Sequence, residues 1–289
     1  MKRPYTGRML QIAAPALLMV AVGLAAPLTH QPSKPAKPTP APGGETPPAP
    51  ATPPQDADGN APARPVWPFP HPMISEVLYA VPSGDTGDAN GDGNRQATGD
   101  EFIELFNPHD KPISLRGYTL TDKSGGKPGS MKFVFPACTL QPGQCAVVFN
   151  GFECTWAGPV GDSMTAPKEG HKKFHGALVF SMKIDSSRIA LSNSGDAVVL
   201  LAPDGAVLEA VKWGKLDKAP TARVVQEAPT TNRGSVQRTG IGGPMAAHEG
   251  TGSPVVRYSP GLFAPGTVGG GSQPAAEPPA GEKKPAKGK

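Results

Sequence analysis

The sequence predicts an all-β fold in which two sheets stack face to face. Three observations lead there. Short runs rich in β-branched and aromatic residues show period-two alternation. Turn signals built from Gly, Pro, Asn and Asp punctuate them at intervals of roughly 8–12 residues, the spacing of a sandwich or barrel, and no amphipathic helix interrupts them. Apolar residues come from both faces of many runs, as two sheets sharing a core require.

MISEVLYAV, residues 73–81, is the first predicted strand and ends at Pro82-Ser83-Gly84. A polar loop over 83–99 follows. The stretch 100–122, DEFIELFNPHDKPISLRGYTLTD, is the centre of the pattern. Ile103 and Leu105 alternate with Phe102, Glu104 and Phe106, and Tyr118 shares a face with Leu120. Pro108 and Pro112 suit the corner between them, since proline cannot donate to a central ladder. Residues 132–135 and 145–150 flank Pro142-Gly143 and read as a hairpin. Residues 153–176 read as a loop, and Ile189-Ala190-Leu191 as a brief strand. Residues 197–202 and 207–213 flank Pro203-Asp204-Gly205, the clearest hairpin signal in the chain. Residues 235–238 read as a final edge strand.

The 289-residue chain holds 37 Pro and 36 Gly, concentrated towards its ends. That distribution predicts a folded middle between disordered flanks. Lys2, Arg3 and Arg8 precede an apolar run over 9–28, which reads either as a signal peptide cleaved after Ala25 or as an uncleaved anchor. Residues 1–28 are therefore assigned to export, 29–69 to a proline-rich spacer, 70–264 to the folded domain and 265–289 to a disordered basic tail. The net charge of +4 is too small to imply nucleic acid by itself.

Asp88-Ala89-Asn90-Gly91-Asp92-Gly93 places side-chain oxygens at alternate positions before a glycine, the opening of a calcium loop. The twelfth position is Gly99, so closure would fall to Asp100 or Glu101. The expected Ca²⁺ set is Asp88, Asn90, Asp92, Asp100 and Glu101, set against an ordinary polar loop of Asx turns. Three cysteines in an exported chain suggest one disulfide. The sequence allows Cys145 to pair with either Cys138 or Cys154; the freedom of the 152–156 loop favours Cys145 with Cys154. His171 and His175 have metal-pair spacing only on a helix, which their Gly-flanked context does not support. Glu76, Glu101 and Glu104 lie on strands, where capping loops, pairing with Arg116 or serving the Ca²⁺ loop fits better than catalysis. Ser194-Gly195-Asp196 reads as a turn. There is no Gly-Xaa-Ser-Xaa-Gly elbow, phosphate loop or zincin helix, so the chain is not expected to be an enzyme.

Seven segments in order resemble the lamin tail domain family: ISEVLY at 74–79, DEFIELFNP at 100–108, LRGYTLTD at 115–122, FVFPACTLQPGQCAVVFNG at 133–151, LSNSGDAVVLLAPDGAVLEAVKWG at 191–214, and the endings SVQR at 235–238 and YSPGLF at 258–263. The resemblance is to the exported bacterial type and implies an immunoglobulin-like β-sandwich with a role in interaction or attachment. Tyr118 departs from it, standing where members usually carry Trp; a Tyr ring fits if its hydroxyl finds a partner. The loops 83–99 and 153–176 are long for the family and are the expected seat of any function private to this chain. The expected role is a non-catalytic, exported binding or structural module of the cell envelope or surface. Its expected partner is an envelope protein or polymer, with the membrane touched only through the N-terminal segment. Its rival is a nucleic-acid or polyanion-binding accessory using the Lys168–Lys173 region and the basic tail; a small hydrolase is a third reading.

Overall fold

In the computed structural model, residues 67–265 except 219 are described. The export segment 1–28, nearly all of the 29–69 spacer and all but the first residue of the 265–289 tail lie outside them.

The first sheet is organised around β1 (Met73–Ala80), β2 (Phe102–Phe106) and β7 (Cys145–Phe149), which pair antiparallel in that order. β13 (Gly234–Arg238) and β14 (Met245–Ala247) extend it on one side; β9 (Leu178–Ser181) and β8 (Val160–Gly161) extend it on the other, giving the order β14-β13-β1-β2-β7-β9-β8. The second sheet runs β12 (Val224–Glu227), β11 (Val207–Gly214), β10 (Gly195–Leu201), β4 (Thr119–Thr121) and β5 (Lys132–Val134). A short pair, β3 (Ile113–Ser114) with β6 (Thr139–Leu140), bridges the corner where the chain changes sheets. The fold is the all-β layered architecture the sequence predicts.

Between the sheets lies the main core, built from Val77, Tyr79, Ile103, Leu105, Leu120, Phe133, Val148, Phe180, Val198 and Trp213. Tyr79 of β1 stacks on Trp213 of β11 with centroids 4.2 Å apart and planes 7° apart. Both polar tips are satisfied: Trp213 Nε1 donates to the Ser192 carbonyl and Tyr79 Oη donates to that of Pro229. Two amphipathic rings thus join the layers without leaving a buried donor unpaired. Tyr118 finds the partners its hydroxyl needs, hydrogen-bonding His71 Nδ1 at 2.8 Å and donating to the Pro70 carbonyl at 3.4 Å.

The first sheet is buried on both faces. Every residue of β1, β2, β7 and β13 is buried. The face turned away from the second sheet carries Met73, Leu78, Phe102, Phe106, Cys145, Val147, Phe149 and Val179, covered by Phe174 and Tyr258 from loops. Double burial is why these strands read as nearly continuous apolar runs and why alternation alone does not mark them.

Two expectations are corrected, and one strand was not expected. Residues 132–135 and 145–150 are not a hairpin: β5 pairs with β4 in the second sheet and β7 with β2 in the first. Pro136, β6 and the Pro142-Gly143 turn carry the chain across. Ile189-Ala190-Leu191 is not a strand; Leu191 instead gives its N–H to Glu101 Oε2 at 3.0 Å. β9 has no expected counterpart, because its four residues are all buried and leave no alternation to read. The 203–205 hairpin forms as predicted, with Leu201 opposite Val207 and Gly205 at φ +86°.

Candidate binding site

Topology gathers the two long loops at one end of the first sheet. β1 exits, β2 enters and β7 exits at that end, since Phe102 lies opposite Leu78 on one side and Phe149 on the other. β9 runs parallel to β7, so its connection must return the length of the sheet. The second sheet occupies one face, so the 150–177 segment crosses the other. There Trp156 packs on Phe149 at 5.3 Å between centroids, and Phe174 packs on the same ring at 5.6 Å.

Within the 83–99 loop, acidic and amide side chains organise the backbone. Asp88 accepts from Asp92 N at 3.0 Å and Gly93 N at 2.9 Å. Asn90 Oδ1 accepts from Asp92 N at 2.8 Å. Asp92 accepts from Asn94 N and, across the gap, from Thr155 N, each at 2.8 Å. Asp100 closes the base, taking Asn90 N at 2.9 Å and Gln96 N at 2.6 Å. These are Asx turns and anchors, each oxygen set against a backbone donor. Lys173 Nζ donates to the Gly91 carbonyl. Gly91, at φ +66°, has room for that ammonium only because it lacks a Cβ.

Asp92 and Lys173 therefore stitch the two loops into one body. Burial works against the charge of Asp92, but the Thr155, Asn94 and Asn90 donors outweigh it and hold its carboxyl below the usual range. Asp100 goes the other way: burial, with the nearby charge of Asp88, pushes it up to about 6.

The structure brings together Asp88, Asn90, Asp92 and Asp100 of the expected Ca²⁺ set, but not Glu101. Glu101 turns to the other face of the sheet, onto Leu191 N, and burial with the charge of Asp196 raises it well above the usual range. Among the described residues no three His, Cys, Asp or Glu side chains are grouped to hold a metal ion.

The expected disulfide is also corrected: all three cysteines are free. Cys145 begins β7 and Cys154 follows its far end, so an extended strand of about 3.3 Å per residue separates them, well beyond bonding reach. Cys138 packs into the inter-sheet core, whereas Cys145 faces the opposite side of the first sheet. Burial pushes the Cys138 thiol up to about 11; burial with the charges of Asp100 and Asp92 pushes Cys154 up to about 12. Such thiols stay protonated at neutral pH and are poor nucleophiles. His171 and His175 do not act as a pair. His171 is buried with Nε2 on the Ala157 carbonyl at 2.7 Å, while His175 is exposed.

Beside the joined loops opens a cleft of about 420 Å³ whose wall includes Gly151, Cys154, Trp156, Val160, Ser181 and Lys183. Lys183, on that wall, forms an ion pair with Asp162. The cleft offers an aromatic ring, mixed polar and aliphatic walls and a lysine whose ammonium is held by Asp162, which is binding chemistry. Trp156 and Lys183 were not legible as site residues; a tryptophan in a Gly-rich loop was the one available signal.

A third segment lies over this region. Tyr258 packs edge-on against Phe102 at 6.4 Å, and Phe263 lies 4.4 Å from Phe106. Deeper still, Arg238 of β13 and Glu209 of β11 form an ion pair buried on both sides. Glu209 also accepts from Ile74 N at 2.8 Å, Arg238 Nε donates to the Ile74 carbonyl at 2.8 Å, and the guanidinium lies 5.1 Å from the Trp67 ring.

The lamin tail domain family model matches residues 68–215, just over half of the chain. The chain belongs to the lamin tail domain family. Lamin tail domains are in general non-catalytic modules. No curated protein matches the chain. The lamin tail match ends at the close of β11, so β12, β13, β14 and the 258–263 segment lie beyond it, yet they supply Arg238 and half the cover of the outer face.

Proposed function

We propose that this protein is an exported, non-catalytic binding module of the cell envelope or cell surface, and that it meets its partner on the surface formed by loops 83–99 and 150–177. The observation that carries the reading is the joining of the two loops, through Asp92 to Thr155 N and Lys173 to the Gly91 carbonyl, beside an open cleft walled by Trp156. Loops held by a rigid sandwich are where such scaffolds place recognition, and a half-buried tryptophan is a favoured anchor. Export is supported by the basic start and apolar run of 1–28, and reach by the proline-rich spacer.

A polyanion fits this surface less well. The loops carry six acids (Asp85, Asp88, Asp92, Glu153, Asp162, Glu169) against four bases (Arg95, Lys168, Lys172, Lys173), and Lys173 is already engaged. A true polyanion site would instead weaken steeply with salt.

In the native cell, tagged full-length chain is expected in the exported fraction, open to protease added from outside. Trp156→Ser with Lys183→Glu should keep that location while abolishing adducts formed by a short-range crosslinker. Recovery only from the cytosol, or adducts surviving both substitutions, would overturn the proposal.

A further inference from the structure

The outer face of the first sheet holds two carboxylates that the binding surface does not use. Glu76 and Glu104 are cross-strand partners on β1 and β2, exposed by only 1% and 0%. Among the described residues neither takes part in an ion pair. Glu76 Oε1 accepts from Ser235 Oγ at 2.6 Å and Ser259 N at 2.9 Å, and its Oε2 from Ser259 Oγ at 2.8 Å. Glu104 Oε1 accepts from Ser75 Oγ at 2.6 Å, and its Oε2 from Gly261 N at 2.7 Å. Three of these five bonds hold one segment, residues 258–263.

We infer that Glu76 and Glu104 are a proton-held latch, pinning the 258–263 strap across the outer face and releasing it when both carboxyls ionise. Two like charges opposed in a site closed to water cannot both persist without a cation. Among the described residues no cation is paired with them: β7 presents the Cys145 thiol, β13 presents Ser235 and Gln237, β1 adds Ser75 and the strap adds Ser259. Burial pushes Glu76 up to about 7; burial and then the charge of Glu76 push Glu104 up to about 8. Both values are raised in the closed state. The latch is therefore fully stabilising below the ordinary carboxyl range near 4.5 and is lost as pH rises through the raised values.

The strap closes over more than the carboxyls. Phe263 covers Phe106, Tyr258 covers Phe102, and Gly261, at φ +91°, passes so close to the Phe174 carbonyl that a Cβ there would lie 2.2 Å from it. Phe174 neighbours Lys173, one of the two stitches between the loops. Opening the strap uncovers an aromatic face with a thiol and frees that corner of the loop pair. The latch does not depend on what binds there.

Amide exchange of the full chain, followed by mass spectrometry and corrected for intrinsic rate, tests this. Protection at Ser259 and Gly261 should fall at least about ten-fold between pH 6 and pH 8 and level off above, while β10 and β11 keep theirs. In a Glu76→Gln, Glu104→Gln variant the same amides should show equal protection at both pH values. A second readout is Cys145 labelling in a Cys138→Ser, Cys154→Ser background, scaled to the unfolded chain at each pH, where a rise of similar size is expected. Should the double Gln variant not fold, exchange in the unaltered chain and Cys145 labelling decide alone. Constant protection, loss shared with β10 and β11, labelling that does not rise, or full pH dependence retained by the Gln variant would each overturn the latch.

Discussion

Arg238→Met should be among the most damaging single substitutions in the domain. The guanidinium and the Glu209 carboxylate are both fully buried, and Arg238 also donates to the Ile74 and Gly243 carbonyls. Removing it strands a buried carboxylate and leaves two carbonyls short of a donor. Breaking a buried pair from one side costs about 3–5 kcal/mol, a large share of a total stability of about 5–15 kcal/mol. Urea unfolding should show the midpoint falling by about 1.5–2.5 M for an m-value of about 2 kcal/mol/M. Adding Glu209→Leu removes the stranded charge. It should recover part of the loss, leaving about 1–3 kcal/mol for the Ile74 N–H that Glu209 also satisfied and for the two carbonyls still short of a donor. A single-variant cost below about 1 kcal/mol, or a double variant no more stable than the single, would refute the reasoning.

Further outcomes are expected elsewhere. Tyr118→Phe removes the bond to His71 Nδ1 and should cost about 0.5–1.5 kcal/mol in thermal unfolding; no change would mean that the hydroxyl is not held. In the 83–99 loop the carboxylates of Asp88, Asp92 and Asp100 already serve backbone donors, and the Lys173 ammonium sits on the Gly91 carbonyl. Millimolar Ca²⁺ should therefore move the melting temperature by less than about 1 °C, and a calorimetric isotherm with a shift of several degrees would contradict this. Unreduced, denatured protein should titrate three thiols with Ellman's reagent; a count of one would restore a disulfide.

The layered fold was legible because its signals are local. The Pro203-Asp204-Gly205 turn and the short apolar run at Phe102–Phe106 each need only a few neighbouring residues. The Tyr118 hydroxyl was legible as a requirement, though not its partner, since His71 lies 47 residues away. What failed depended on distance. Cys145 and Cys154 look close along the chain, yet a fully extended β7 lies between them. Glu101 sits beside Asp100 in sequence, yet Asp100 serves the loop while Glu101 bonds the Leu191 N–H, 90 positions away. The Asp92 and Lys173 stitches, the ion pair of Glu209 with Arg238 and the strap bonds to Glu76 and Glu104 join residues 29 to 183 positions apart, which no local pattern announces.

The proposed recognition surface is where the two loops meet beside the cleft. Photo-crosslinking residues placed singly in the full-length chain test it most directly: Thr155, Met164 and Lys183 on the loop side, Val134 and Val225 on the exposed edge strands β5 and β12. One discrete adduct is expected from the loop-side positions and none from the edges. Adducts from β5 or β12 alone, or from every position equally, would contradict it.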